Sequence, residues 1–143
     1  MEEASSVTGV GDTEIANDER LSRFIMKSDW VRKSNNTVRL SAFLPEEYNN
    51  ELELSLVRHI NLSVDELWRN GEFIAGKREK KLLGRADLTA LNIRNNSLDV
   101  YSQADPPIYN HAVVKGWSQD KSYRKMIAAE LALAAGQFLP NPL

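Results

Sequence analysis

The chain has 143 residues, 42% of them apolar, and a formal net charge of −2, which bounds it to one ordinary globular core rather than two domains. It contains no cysteine, and that excludes disulfides, thiolate zinc sites, iron-sulfur clusters and cysteine nucleophiles together. No run of about 18 apolar residues occurs, since Glu130 interrupts "MIAAELALAAGQFL", so no membrane span is expected. The acidic opening "MEEASSVTGVGD" lacks the basic-then-apolar order of a secretory segment and points to the cytoplasm.

Glu2, Glu3, Asp12, Glu14, Asp18 and Glu19 against Arg20 put residues 1–20 at −5 and the remainder at +3. With few large apolar side chains, residues 1–19 are expected as a flexible acidic tail before a single domain at 20–143. In "RLSRFIMKS", Leu21, Phe24, Ile25 and Ser28 fall at helical spacing, which predicts a short helix at 20–27. "TVRLSAFLP" alternates, with Val38, Leu40, Ala42 and Leu44 on one face, and predicts a strand that Pro45 ends. "ELELSLVRH" alternates again, with Leu52, Leu54 and Leu56 together; the turn-rich "EEYNN" between the two predicts a hairpin.

Ser63 and Glu66 in "LSVDELWRNG" form a capping box that opens a helix, and Gly71 is placed to stop it. "GKREKKLLGRADL" reads as a basic connection, followed by a short helix capped by Asp87 or Thr89 and running to about Asn95. "SLDVYSQ" and "HAVVKGW", joined by the turn "ADPPIYN", predict a second hairpin. Ser118 is the expected cap of a long final helix at 119–138. Its apolar stripe is Tyr123, Ile127, Leu131, Ala134 and Phe138, widened by Met126 and Leu133. Local hairpins without strict βαβ alternation predict an α+β fold: a small antiparallel sheet from two hairpins, helices packed on one face, and a long C-terminal helix.

Counting by twos from Leu52, Leu54 and Leu56 reaches Arg58, so a regular strand would turn a guanidinium toward the core; alternatively the strand ends at Val57 and Arg58 faces solvent. His59 and His111 are the only imidazoles, each at a predicted strand edge. With Arg58, and with Lys115 nearby, they would suit metal-independent phosphodiester chemistry, one ring taking a proton and the other giving one. Two histidines without a third ligand make no metal site, and neither a glycine-rich phosphate cradle nor another cofactor signature occurs. Lys77, Arg78, Lys80, Lys81 and Arg85 could follow a phosphate backbone, although Glu79 divides the run and no aromatic residue lies within it.

The phrases "LSRFI", "VRLSAFLP", "LSVDELW", "GRADL" and "PPIYNHAVVKGW", in this order across roughly residues 20–130, resemble a group of short bacterial proteins of unassigned activity. The resemblance is marked by Pro106, Pro107, His111, Ala112, Gly116 and Trp117, and implies a bacterial cytoplasmic origin without implying a catalytic role. The leading expectation is a non-enzymatic accessory subunit that binds a protein partner in a bacterial multi-component system, such as a defence or mobile-element operon. A small RNA- or nucleotide-processing enzyme using Arg58, His59 and His111 is the second, and a nucleic-acid-binding module acting through residues 77–85 is the third.

Overall fold

The computed structural model describes residues 13–143. Nine strands and three α-helices follow in chain order among them. These are β1 (Arg20–Ile25), β2 (Val31–Arg32), β3 (Thr37–Val38), β4 (Glu46–Tyr48), β5 (Glu51–Arg58), α1 (Val64–Lys77), β6 (Gly84–Thr89), α2 (Ala90–Arg94), β7 (Asp99–Ser102), β8 (His111–Lys115), α3 (Lys121–Ala135) and β9 (Leu139–Pro140). Short 3-10 turns cover Ser28–Trp30 and Leu40–Phe43. β7, β8, β5, β1, β6 and β9 form one antiparallel sheet in that order, with β4 beside the first half of β5; β2 and β3 form a separate ribbon. The α+β class and the antiparallel sheet expected from the sequence are both present.

The segment predicted as a helix at 20–27 is instead the central strand β1, hydrogen-bonded to β5 on one side and β6 on the other. Every residue from Leu21 to Ile25 is buried, because both sheet faces are covered here, and a strand buried on both sides has no polar face to give it a period of two. β6 was hidden for the same reason inside the supposed basic connection. The first hairpin is built from β4 rather than from 37–44. Asn49 and Asn50, with φ of 49° and 67°, make the two-residue turn that joins Tyr48 to Glu51. The stretch after β3 coils into the 3-10 turn that buries Ala42 and Phe43. The second hairpin, β7 with β8, stands where the sequence placed it.

Helices cover both faces of the sheet, not one. Leu21, Ile25, Leu54, Leu56, Ala86, Leu88, Ala112 and Val114 pack in the main core with Ala90 and Ile93 of α2 and Ile127, Ala128, Leu131 and Ala132 of α3. The alternate residues Phe24 and Val57 pack on the other side with Leu67, Trp68 and Ala75 of α1. Single strands divide their side chains between these clusters, as the pleat requires. The expected α3 stripe shifts accordingly, leaving Tyr123, Met126 and Leu133 exposed. Asp120, not Ser118, caps α3, its carboxylate accepting from the N–H groups of Ser122 and Tyr123.

The boundary expected at residue 19 also moves. Residues 1–12 lie outside the described residues, but Ile15 is buried in the main core and residues 13–19 are bonded to the domain through Arg58 and Arg94. Among the described residues no helix is long and apolar enough to cross a membrane.

Candidate functional site

Arg58 closes β5 opposite Leu21 and is wholly buried, so the period-two count gives its direction and the solvent-facing alternative does not hold. Nε and Nη2 donate to the two carboxylate oxygens of Glu19 at 2.8 and 2.7 Å. Nη1 donates to the Thr13 carbonyl and hydroxyl at 3.0 and 3.1 Å, and Nη2 donates again to the Glu14 carbonyl at 3.1 Å. A guanidinium has five N–H donors. All five are engaged in holding residues 13–19, leaving none for a substrate.

His59 follows directly, its N–H bonded to the Arg20 carbonyl. Nε2 lies 2.7 Å from Ser22 Oγ, which in turn is 2.6 Å from Asp87 Oδ1. β1 and β6 bring Ser22 and Asp87 together because these residues are register partners. The single hydroxyl proton goes to the carboxylate, so His59 Nε2–H is the donor to Ser22. That polarity is the reverse of nucleophile activation, in which the imidazole takes the hydroxyl proton, and Ser22 is wholly buried. Arg85 completes the group, its Nε 3.1 Å from Asp87 Oδ1 and its guanidinium 4.7 Å above the Trp68 ring centre. Burial alone would raise the Asp87 pKa; the nearby His59 ring, 3.6 Å away, the hydrogen bond from Ser22 and the charge of Arg85 outweigh it and bring the group down to about 2. The constellation is a buried anion surrounded by Ser22, His59, Arg85 and, at 3.8 Å, Arg20, which locks β1 to β6 beneath α1.

His111 stands on β8, in register with Val57 of β5. Its Nδ1 is 2.9 Å from the Gln103 carbonyl, so that nitrogen carries the proton. Among the described residues the two histidines share no hydrogen-bond partner: His59 belongs to the β1–β6 side and His111 to the end of β7. The structure does not unite Arg58, His59 and His111 in one polar group.

The basic residues divide as well. Arg85 is turned inward to Asp87 and Trp68, and Lys115 pairs with Glu51 at 3.2 Å and Glu53 at 3.5 Å. Bonding to Glu51 and its charge raise the Lys115 pKa. Lys81 is exposed and lies outside the cleft lining. Lys77, Arg78 and Lys80, by contrast, line a cleft of about 970 Å³ on the α1 side of the sheet. Ser55 and Val57 of β5, Phe73 and Ile74 of α1, Glu46 and Tyr48 of β4, and the turn from Gln103 to Ile108 line it too, as do Arg23, Lys27, Trp30 and His111. Phe73 and Tyr48 are 41% and 50% exposed.

Sequence reasoning missed Arg23, Lys27, Trp30, Tyr48 and Phe73, which come from three separate segments and meet only through the sheet. The one usable signal was Arg23 itself, a charge inside the apolar phrase "LSRFI". Among the described residues no group of three or more metal-ligating side chains is placed to hold an ion. No protein-family model matches the chain, and neither does any curated protein or solved structure.

Proposed function

We propose that the protein is a binding module, not an enzyme, and that its cleft receives a segment of single-stranded nucleic acid. The observation that carries this reading is the meeting of cations and exposed aromatic rings in one cleft: Lys77, Arg78 and Lys80 beside Phe73 and Tyr48. Cations alone would serve any anionic partner. Phe73, with the Lys77 ammonium 5.8 Å from its ring centre, and Tyr48 are solvent-exposed rings of the kind on which unpaired bases stack, worth about 1–3 kcal/mol per base. The aromatic residues absent from the run "KREKK" are supplied by the fold, one of them a turn earlier on α1 and the other from β4. Nucleic-acid binding through residues 77–85, the third expectation from the sequence, thus takes the place of the protein partner expected first; the mixture of cations and rings in the cleft supports it. Against the catalytic alternative stand the fully engaged donors of Arg58 and the separate partners of the two histidines.

Fluorescence anisotropy with an oligonucleotide of roughly eight nucleotides, titrated across salt concentrations, tests the reading. Affinity should fall linearly on a double-logarithmic plot, and the triple variant Lys77→Ala, Arg78→Ala, Lys80→Ala should reduce the slope by about 2, each phosphate contact contributing roughly 0.7 on a single strand. A flat salt response, or an unchanged slope in the variant, overturns it.

A further inference from the structure

Two arginines are buried in the central strands, and their surroundings differ. Arg58 has a carboxylate and every donor engaged. Arg23 is 7% exposed, and among the described residues no carboxylate lies within ion-pair distance of it. β1 and β5 part after Ser22 and Val57, and Arg23 fills the gap. Its Nε donates to the Ala42 carbonyl at 2.7 Å and its Nη1 to the Ser55 carbonyl at 3.3 Å. Nη2 has no hydrogen-bond partner among the described residues, and the side chain lines the cleft. Trp30 carries the Arg23 guanidinium 5.1 Å from its ring centre and the Lys27 ammonium 5.7 Å from it.

A guanidinium removed from water without an anion is unfavourably placed. Burial lowers its pKa to about 10, a change that Glu46 opposes and Arg78 adds to, so it stays charged at neutral pH. Arg23, Lys27 and Arg78 outnumber Glu46 and its register partner Glu53 at this part of the cleft, and Lys115 pairs with Glu53. A phosphodiester offers two unesterified oxygens. A phosphomonoester offers three acceptor oxygens and between 1.5 and 2 negative charges at about neutral pH, and so can engage all three cations. The planar fork of an arginine suits those oxygens as a lysine does not.

We propose that Arg23, Lys27 and Arg78 form a pocket for a phosphomonoester, the terminal phosphate of a nucleic-acid strand or of a mononucleotide. The proposal rests on the cleft being a nucleotide-binding surface and names the group that anchors there.

Calorimetric titration tests it with two pairs of probes: an oligonucleotide with and without a terminal phosphate, placed at either end, and a nucleoside monophosphate beside its nucleoside. In the wild type the phosphate should tighten binding about tenfold, the effect of a charge-assisted hydrogen bond, and Arg23→Lys should abolish the preference. Because Arg23 also bonds two carbonyls, thermal unfolding of that variant is followed in parallel. Arg78→Ala leaves those bonds intact and should weaken the same preference. Equal binding of phosphorylated and unphosphorylated probes overturns the pocket, as does a full preference retained in Arg78→Ala or in folded Arg23→Lys. If unphosphorylated strands still bind in that case, the strand-binding reading survives alone. Phosphate-dependent binding of the mononucleotide without binding of unphosphorylated strands supports the pocket and overturns the strand.

Discussion

Asp87 gathers Ser22, His59 and Arg85 at one carboxylate, and its ionisation makes that junction sensitive to acid. Its folded pKa of about 2 lies below the usual 3.8, so the stabilisation is complete above the unfolded value and is lost as pH falls through the folded one. The shift corresponds to about 2 kcal/mol at 1.36 kcal/mol per unit. Urea unfolding at pH 5 and pH 2 should therefore show the wild type losing about 2 kcal/mol more than Asp87→Asn over this interval. The variant should also be weaker at pH 5, since Arg85 keeps its place over Trp68 without an anion. An identical pH dependence in the two proteins would remove Asp87 as the acid-sensitive group. Ser22 and His59 illustrate a related point about residue type. Serine, histidine and aspartate in contact suggest a hydrolase by composition, yet the direction of the hydroxyl proton makes them a strut.

At the scale of elements, Gly71 shows what spacing alone misreads. The capping box of Ser63 and Glu66 was legible because every atom it needs lies within four residues. Gly71 looked like a helix end, but α1 runs on to Lys77, and the glycine lies buried in its middle. The reason is tertiary: a Cβ there would stand 2.6 Å from the Phe24 ring and 2.9 Å from Leu82. Gly71→Ala should thus add about 1–3 kcal/mol of overpacking against a gain of up to about 1 kcal/mol in helix propensity, for a net loss of stability. Phe24→Leu in that background should recover part of it, a coupling expected of residues in contact; an unchanged or raised denaturation midpoint in Gly71→Ala would contradict the packing account. β1 and β6 were illegible for a similar reason. Their polar residues Ser22, Arg23, Arg85 and Asp87 broke the apolar run, and Ser22, Arg23 and Arg85 meet Asp87, Ala42 and Trp68 only through the fold. The β7–β8 hairpin, closed by local turns, was read correctly.

For the whole molecule, the consequence of Arg58 reaches beyond the sheet. The cleft was only partly legible, through Lys77, Arg78 and Lys80, because its aromatic wall depends on how α1 and β4 come together; the domain boundary was misplaced because acidic composition concealed what Arg58 requires. A buried guanidinium needs an anion and acceptors, and Glu19, Thr13 and Glu14 supply them. Arg94 adds bonds to the Asn17 side chain and the Ile15 carbonyl, and Ile15 enters the main core. Residues 13–19 are therefore part of the folded unit. A chain lacking residues 1–19 should be less stable than one lacking only 1–12 by at least the 3–5 kcal/mol that an orphaned buried charge costs, seen as a fall in Tm of roughly 10 °C or more. Arg58→Met in the shorter chain should restore part of the difference, because it removes the uncompensated charge while keeping much of the side-chain volume. Equal melting temperatures for the two truncated chains would mean that Arg58 finds other acceptors, and would return residues 13–19 to the tail.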